Sequence, residues 1–267
     1  MDAVKEISTG DQTIQDQETV KINVCLSLSG VAEGGLEVYK EIEKQIGELN
    51  ADVELGEKKE CSLGQVGCRG YCSRDVLVDI YIPGEDVVTY EKVKPGMVKD
   101  ILKSHVISGK PFAKAAAKKE YYELLNKQQR VALEFGGRID PENIDDYLAV
   151  GGYSALQNVL SNMQPLEVIE AIKASGLRGK GGGGFPTGVK WEKAANAPGA
   201  RRYIVVNGDE GNPASYMDRS VMEGCTHQVI EGLLIGAYAI QANEAIIYTR
   251  TDYTIATRRL KFAIEQA

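Results

Sequence analysis

The stretch GLRGKGGGGFPTGVKW, residues 176–191, constrains the fold of this chain more than any other. It contains six glycines from Gly176 to Gly184, four of them consecutive. Glycine loses the most conformational entropy on folding, so such a run is costly inside an ordinary helix or strand. Its benefit is that backbone N–H groups, with no Cβ atoms in the way, can lie directly against a ligand. The run therefore predicts a loop that approaches a ligand closely.

The residues around this run indicate what kind of ligand it suits. Lys180 and Lys190 add positive charge, and a helix is predicted to begin near Thr187, a residue type that caps helix starts. Backbone amides and a helix N-terminus together suit a phosphate or a planar anionic cofactor. The alternative is a flexible linker. Linkers are rich in Ser and Gly throughout, however, whereas this run is bracketed by Phe185 and Trp191.

The same stretch closely resembles the glycine loop of the NADH-oxidising flavoprotein subunit of respiratory complex I. The loop also occurs in soluble hydrogenases, formate dehydrogenases and the class II benzoyl-CoA reductase complex. In this family it holds FMN and lets NADH stack against the flavin. The resemblance implies that the residues cradling the flavin are Gly179, Lys180, Gly181, Gly182 and Lys190.

A second motif follows a predicted buried strand at residues 202–206. In open α/β sheets ligands gather at the carboxyl ends of strands, and NGDEGNPASYMDR begins at such an end. This sequence resembles the second flavin motif of the family, commonly NADE, and Asn207, Asp209 and Glu210 match it. The resemblance implies that these three residues surround the FMN ring and ribityl chain. The alternative is a polar turn after a strand.

The resemblance also implies individual roles near the nucleotide. Phe185 is expected to stack on the adenine or the nicotinamide. Glu210 is the expected catalytic residue, because it would shape the nucleotide site and the flavin potential. Asn212 stands where many family members have an acidic residue that borders the nicotinamide nucleotide, so NAD and NADP both remain open. Tyr147 and Tyr153 are assigned to the core in preference to a cofactor-stacking role.

Residues 21–108 show a predicted element order, β-α-β-loop-β-β-α, that resembles thioredoxin. Strands are predicted near residues 20–25, 51–55, 76–82 and 86–90, and helices near residues 36–49 and 97–107. In the first strand Val20, Ile22 and Val24 alternate with polar residues, which is typical of a strand. The predicted fold class is α/β, with a thioredoxin-like N-terminal domain followed by the start of an α/β flavin- and NADH-binding domain.

Three cysteines near the ends of these strands predict a metal site. Cys25 ends the first strand, and Cys68 and Cys72 have C-x3-C spacing before a later strand. Thiolates on adjoining loops can hold an iron–sulfur cluster, and this layout resembles the thioredoxin-like [2Fe-2S] ferredoxins found beside the complex I flavoprotein. There the first pair has C-x4-C spacing, which puts Gly30 at the fourth ligand position. A vestigial domain without a cluster is favoured over a cluster with a substitute ligand such as Cys61.

Composition excludes several classes of function. The chain has 267 residues, a net charge of −7 and a pI near 5.1. This charge argues against a nucleic-acid partner, because phosphate binding needs concentrated Lys and Arg. No apolar run approaches the roughly 20 residues of a membrane span, and residues 1–17 lack the apolar region of a signal peptide. A cytoplasmic protein is expected.

These patterns predict four regions: a flexible arm at residues 1–20, the thioredoxin-like ferredoxin domain at 21–108, a helical connector at 109–164, and the N-terminal part of the FMN/NADH-binding domain at 165–267. The resemblance implies an NADH dehydrogenase (diaphorase-type) subunit that takes electrons from NADH through FMN and works with other iron–sulfur subunits. The family's later Gly-Glu-Glu motif and [4Fe-4S] domain are not in this sequence. The chain by itself is therefore expected to hold flavin weakly.

Two other functions remain open at this point. One is a non-catalytic docking or assembly module with a vestigial ferredoxin-like domain, which the missing fourth ligand favours. The other is an NADPH-linked or flavin-bifurcating version of the enzyme.

Overall fold

A computed structural model describes residues 19–51, 60–212 and 215–267. The described residues divide into two compact units. The first contains the chain up to Asn143 together with Glu223–Cys225, and the second contains Ile144–Met222 and Thr226–Ala267. The predicted arm at residues 1–20 and the predicted strand at 51–55 lie almost wholly outside the described residues. The four-region division made from the sequence stays a prediction.

The first unit is built on a mixed four-stranded sheet. Its strands are Val20–Cys25 (β1), Cys61–Val66 (β2), Val78–Tyr81 (β3) and Val88–Tyr90 (β4). Its helices are Leu28–Ala32 (α1), Gly35–Ala51 (α2), Pro95–Leu102 (α3, continued by a π-helical turn at Lys103–Ile107) and Lys119–Asn126 (α4). The strand order is β2-β1-β3-β4; β1 is parallel to β2, and β3 is antiparallel to both β1 and β4. This α/β arrangement is thioredoxin-like, as the element order predicts.

One strand of this sheet does not lie where the sequence suggests. Residues 61–66 pair with β1 residue for residue, from Val20 opposite Cys61 to Cys25 opposite Val66. The sequence predicts a cysteine-bearing loop for this segment, CSLGQV. Its serine, glycine and glutamine give it little strand propensity of its own, so pairing with β1 determines its conformation. Gly64 permits this pairing, because a Cβ atom there would lie 2.7 Å from Asn23 Oδ1.

The core of the first unit lies between the sheet and helices α2 and α3. Ile22 and Ile80 from the sheet, Val38 from α2 and Ile101 from α3 are almost completely buried in one cluster. Fully burying such a side chain contributes about 1.5–3 kcal/mol relative to leaving it exposed. This cluster holds the strand ends that carry the cysteines in fixed positions.

A buried ion pair anchors the segment between Cys68 and Cys72. The Arg69 guanidinium bonds the Asp79 carboxylate and donates to Tyr121 Oη at 3.1 Å. Thr89 Oγ1 donates to Asp79 Oδ1 at 2.6 Å. Asp79 is fully buried and Arg69 is 8% exposed. Because the pair joins the cysteine loop to the central strand β3, it determines where the loop lies on the sheet.

Removing Asp79 tests this anchor. We expect Asp79→Ala to lower the free energy of unfolding by about 3–5 kcal/mol, because it leaves Arg69 buried without its counter-charge. The control is Glu91→Ala, which breaks the partly exposed pair between Arg74 and Glu91 and should cost about 0–1 kcal/mol. Urea denaturation followed by circular dichroism measures both. Equal losses in the two variants would contradict the anchoring role.

The second unit combines a parallel strand pair with helices. Its strands are Tyr203–Gly208 (β5) and Glu244–Thr249 (β6), and they pair in parallel. Its helices are Ile144–Ala149 (α5), Ser154–Asn162 (α6), Pro165–Ala174 (α7), Thr187–Ala195 (α8), Met217–Gly224 (α9, whose last two residues group with the first unit), Thr226–Ile240 (α10) and Thr254–Gln266 (α11).

Strand β5 is less buried than its sequence suggests. The stretch 202–206 was predicted to be a buried strand, but its side chains alternate. Tyr203 and Val205 are exposed, and Ile204 and Val206 are half-buried. The alternation arises because α10 packs close to one face of β5. Gly236 of α10 lies so near Ile204 that a Cβ atom on it would be 2.6 Å from Ile204 Cδ1. Among the described residues, the opposite face of β5 has no comparable cover.

A buried carboxylate joins the helices of the second unit. Glu231 accepts hydrogen bonds from Tyr147 Oη at 2.6 Å, from Tyr153 N at 3.1 Å and from Leu156 N at 3.0 Å. Tyr153 Oη lies 2.9 Å from His227 Nδ1. Tyr147 is buried, which confirms its assignment to the core, whereas Tyr153 is half-buried and bonded to Glu231 and His227 at the edge of the unit.

Candidate functional site

The glycine loop is a protruding turn that is closed at its base. Gly179 N donates to Phe185 O at 2.9 Å, and Thr187 N donates to Leu177 O at 2.9 Å. Arg178 Nε donates to Gly184 O at 2.6 Å, across the same base. These bonds hold the two ends of the loop together. Residues 180–183 are left as an exposed tip of four residues, three of them glycine.

The glycines at the tip are not required by packing against the rest of the described chain. A Cβ atom added to Gly181, Gly182 or Gly183 would meet no atom within 4 Å. Backbone conformation does favour glycine at two positions of the loop. The φ angle is +98° at Gly182 in the tip and +58° at Gly184 directly after it. The tip therefore presents bare backbone to open space. That is the surface a flat or phosphorylated ligand needs, so the loop fits the FMN that the resemblance implies.

Helix α8 leaves the loop where the sequence predicts. It begins at Thr187 after Pro186, and Lys190 N donates to Pro186 O at 3.1 Å in its first turn. Lys180 and Lys190 are exposed on the loop and the helix. The helix N-terminus and the two ammonium groups give this region the positive character that an anionic cofactor requires.

Phe185 lies exposed beside the loop, with a lysine ammonium group near its ring. Its exposed fraction is 49%, and Lys193 Nζ lies 5.4 Å from the ring centroid. An aromatic ring in this position has a free face for stacking. Its predicted role against a nucleotide base stays a prediction.

Two residues that position the loop were not identified from the sequence. Arg178 closes the loop base through Gly184 O. Gly188 lets α8 pack against α7, because a Cβ there would lie 2.5 Å from Lys173 Cγ and 2.6 Å from Lys173 N. Both residues lie inside the 176–191 motif, so the sequence contained the information needed to single them out. A charged residue among glycines and a glycine in a predicted helix each need a structural reason.

The second motif forms a turn after β5 that leads towards helix α9. Asn207 Oδ1 accepts from Asp209 N at 3.0 Å, which fixes the turn directly after the strand. The Glu210 side chain is instead bonded to other elements of the unit. Its Oε2 accepts from Arg219 N in α9 at 3.2 Å and from Tyr253 Oη at 3.1 Å. The three predicted residues thus lie together at the end of β5, but Glu210 is 8% exposed and bonded to protein atoms.

The charge on Glu210 is fixed by these bonds. Burial acts to raise the pKa of its carboxyl, but hydrogen bonds from the backbone at Arg219, Asp218 and Met217 and from Tyr253 lower the pKa overall. Glu210 is therefore anionic at neutral pH, and its charge lies at the N-terminus of α9, where a carboxylate is stabilised. This geometry suits a fixed negative charge that orients the turn better than it suits a proton carrier.

Three cysteines of the first unit, Cys25, Cys68 and Cys72, lie at one end of its sheet. Cys68 Sγ and Cys72 Sγ are 3.2 Å apart, and Gly70 N donates to Cys68 Sγ at 3.2 Å. This contact lowers the pKa of Cys72 to about 7 and raises the pKa of Cys68. Cys25 is buried, with Sγ 3.3 Å from Ser27 Oγ and 4.0 Å from Gly67 O.

The fourth ligand position is closed by backbone. A Cβ atom on Gly30 would lie 2.1 Å from Cys25 O, so no side chain fits there unless α1 moves. Cys61 cannot replace it: Cys61 pairs with Val20 and Cys25 with Val66, and five residues along a strand span about 17 Å. In the part of the chain that the structure describes, no group of three or more His, Cys, Asp or Glu side chains is placed to hold one metal ion. The residues present do not fit a four-ligand [2Fe-2S] cluster.

Iron content tests the conclusion about the cluster. We expect the 267-residue chain, reconstituted anaerobically with iron and sulfide, to hold clearly less than two irons per chain, because the fourth thiolate is missing. Colorimetric iron analysis and EPR of the dithionite-reduced protein measure this. Near-stoichiometric iron with a normal [2Fe-2S] EPR signal would show the conclusion to be wrong.

Comparison with known proteins finds a family match in the C-terminal part of the chain. Residues 172–267 match the family model described as the Nuo51 FMN-binding domain. This part of the chain is similar to that family. The matched Nuo51 segment contains the glycine loop, helix α8, the turn after β5 and everything that follows. The resemblance predicted from the two flavin motifs is therefore confirmed.

Curated relatives agree with this assignment. The chain is 50% identical over 141 residues to the NADP-reducing hydrogenase subunit HndC of Solidesulfovibrio fructosivorans, an alignment covering 53% of this chain and 28% of that protein. It is 49% identical over 125 residues to the F subunit of the NADH-quinone oxidoreductase of Aquifex aeolicus, covering 47% and 29%. The chain thus spans less than a third of the length of these relatives.

Two solved structures give matches of low sequence identity. A thioredoxin-like [2Fe-2S] ferredoxin from Aquifex aeolicus is 22% identical, with a TM-score of 0.32, and the match covers 39% of this chain and all of that one. A chain of an NAD+-reducing [NiFe]-hydrogenase is 19% identical, with a TM-score of 0.42, covering 96% of this chain and 42% of that one. Separately, no helix within the described ranges is long and apolar enough to cross a membrane.

Proposed function

We propose that this chain is a flavoprotein subunit, or part of one, that oxidises NADH within a multi-subunit oxidoreductase. The observation that carries the proposal is the open backbone of residues 180–183 beside the N-terminus of α8, inside a segment that matches an FMN-binding family. FMN, when bound, supplies the chemistry that accepts a hydride and releases electrons singly to iron–sulfur clusters of partner subunits.

The residues of this chain act by binding and orientation. The tip amides and Lys180 take the anionic part of the cofactor, and Lys190 adds a point charge on the first turn of α8. Phe185 offers a face for stacking of the nucleotide. Asn207 and Asp209 form the turn that borders the flavin. Glu210, bound to the start of α9, holds that turn in place and contributes a fixed negative charge.

An NADPH-linked enzyme is the second candidate. It is favoured by Asn212, which stands where the family commonly has an acidic residue near the nucleotide. One of the relatives is named as a subunit of an NADP-reducing hydrogenase. The ratio of kcat/KM for NADH to that for NADPH separates the candidates in the native complex. A ratio above one supports the NADH enzyme, and a ratio below one supports the NADPH enzyme.

Lys190 provides the first test of the flavin site. We expect Lys190→Ala to weaken FMN binding by tenfold or more, about 1.4 kcal/mol, because a charge facing the cofactor is lost while the exposed helix position tolerates alanine. Quenching of FMN fluorescence on titration with protein gives the dissociation constant of FMN for the wild type and for the variant. The matched control is Lys261→Ala, an exposed lysine on α11, which should change the affinity by less than twofold. Equal affinities for Lys190→Ala and wild type would remove Lys190 from the site.

Gly182 provides the sharper test. We expect Gly182→Val to abolish FMN binding by the 267-residue chain and NADH oxidation by the native complex, with far-UV circular dichroism unchanged. A branched side chain would fill the space that the flavin needs, and φ of +98° disfavours valine.

The matched control separates backbone strain from loss of the site. Gly84, in the turn between β3 and β4, also has positive φ (+78°) and no atom within 4 Å of an added Cβ. Gly84→Val carries comparable strain and should leave FMN binding unchanged. Full flavin binding by Gly182→Val would contradict the loop assignment. A native complex without a flavin absorbance band would support the docking module instead.

A further inference from the structure

The cysteine end of the first unit contains a pair of thiols that the proposed flavin chemistry does not use. Cys68 Sγ and Cys72 Sγ lie 3.2 Å apart, and both cysteines are free in the structure. We propose that Cys68 and Cys72 form a redox-active dithiol, which low-molecular-weight disulfides such as oxidised glutathione convert into an intrachain disulfide. The site takes a small disulfide as substrate and is independent of the flavin site.

Local geometry selects these two thiols. A disulfide requires the sulfurs to approach to about 2.05 Å, and side-chain rotation from a 3.2 Å contact achieves this over a short distance. Gly70 has φ of +87°, which turns the chain between the two cysteines. Its N–H bonds Cys68 Sγ and points that sulfur into the turn. Cys72 follows at the start of a single 3₁₀ turn, Cys72–Arg74.

Access differs between the two sulfurs in a way that suits exchange. Cys72 is half-buried, whereas Cys68 is 3% exposed. An incoming disulfide can therefore reach Cys72 first, and Cys68 is placed behind it to resolve the mixed disulfide. Exchange of this kind depends on access to the attacking sulfur.

The other described cysteines are placed less well for this chemistry. Cys25 is 1% exposed and contacts Ser27 Oγ. Cys61 lies at the opposite end of β2, about 17 Å along the strands from Cys25. Cys225 is buried, and burial raises the pKa of its thiol to about 11.

The missing cluster ligand leaves the pair available. A cluster would occupy both thiolates, but the Gly30 backbone closes the fourth ligand position against Cys25 O. The ion pair between Arg69 and Asp79 holds the intervening segment on the sheet through contacts that involve neither thiol. The fold thus keeps the two sulfurs together without a metal.

The exchange balances in two steps. The Cys72 thiolate attacks one sulfur of oxidised glutathione, a bond forms between Cys72 and glutathione, and one glutathione thiolate leaves. The Cys68 thiolate then attacks the Cys72 sulfur, the Cys68–Cys72 bond forms, and the second glutathione thiolate leaves. The protein loses two electrons and two protons, and oxidised glutathione becomes two molecules of glutathione.

Thiol trapping tests the proposal on the full 267-residue chain. The protein is equilibrated anaerobically over a range of ratios of oxidised to reduced glutathione, quenched with acid, and then unfolded in denaturant at neutral pH with N-ethylmaleimide so that the buried thiols also react. The chain has five cysteines, so the oxidised species should carry three alkyl groups (five minus the two joined). Peptide mapping should place the bond between Cys68 and Cys72.

Two variants complete the test. Cys68→Ser should accumulate a glutathione adduct on Cys72 that wild type does not retain. The matched control Cys61→Ser, another partly buried cysteine, should keep the Cys68–Cys72 bond with its midpoint glutathione ratio changed by less than twofold. Five alkylated thiols in wild type at every glutathione ratio would overturn the proposal. A bond from Cys25 to either partner would do the same, and neither result depends on whether a variant folds.

Discussion

Close approach of backbone, which only glycine permits, determines the geometry of both functional regions. At Gly30 the backbone lies against Cys25 O, and at Gly188 helix α8 lies against Lys173 of α7. In each case a Cβ atom would overlap a protein atom. At Gly181, Gly182 and Gly183 the opposite holds, since no described protein atom is near. The first set of glycines lets the chain pack on itself, and the second leaves a surface for something other than this chain.

Three buried carboxylates share one feature, which is that hydrogen bonds from other elements satisfy them. Asp79 is paired with Arg69 and also accepts from Thr89. Glu231 accepts from two backbone amides and one tyrosine, and Glu210 accepts from the start of α9 and from Tyr253. An ionised carboxylate without such partners would be very costly to bury. These carboxylates therefore connect elements that are distant in sequence, and they keep the cysteine loop and the turn after β5 in position.

The cysteine end shows how a single residue changes the chemistry that a fold can support. With a glycine at position 30, α1 packs directly on the end of β1, and the space for a fourth thiolate is gone. Cys68 and Cys72 nevertheless stay in contact, because the Arg69–Asp79 pair and the Gly70 turn hold their loop independently of a metal. The proposed dithiol and the expected lack of a full cluster both follow from this arrangement.

The sequence by itself was enough to determine the glycine loop, the start of α8 at Thr187 and the α/β class of both units. Each depends on local chemistry, namely glycine freedom and apolar periodicity. The capping role expected of Thr187 is not seen, because Pro186 is the N-cap of α8 and no side chain caps the helix. Resemblance to the ferredoxin family, whose first cysteine pair has C-x4-C spacing, implied that Gly30 replaces the fourth ligand. Tertiary structure decided what local patterns do not encode. It made residues 61–66 a strand, since their conformation comes from pairing with β1. It left one face of β5 exposed, since burial depends on which element packs alongside and α10 covers only one side. It bonded Glu210 to the start of α9, and it brought Cys68 within 3.2 Å of Cys72. These outcomes depend on contacts between distant parts of the chain, and a one-dimensional pattern contains no distances.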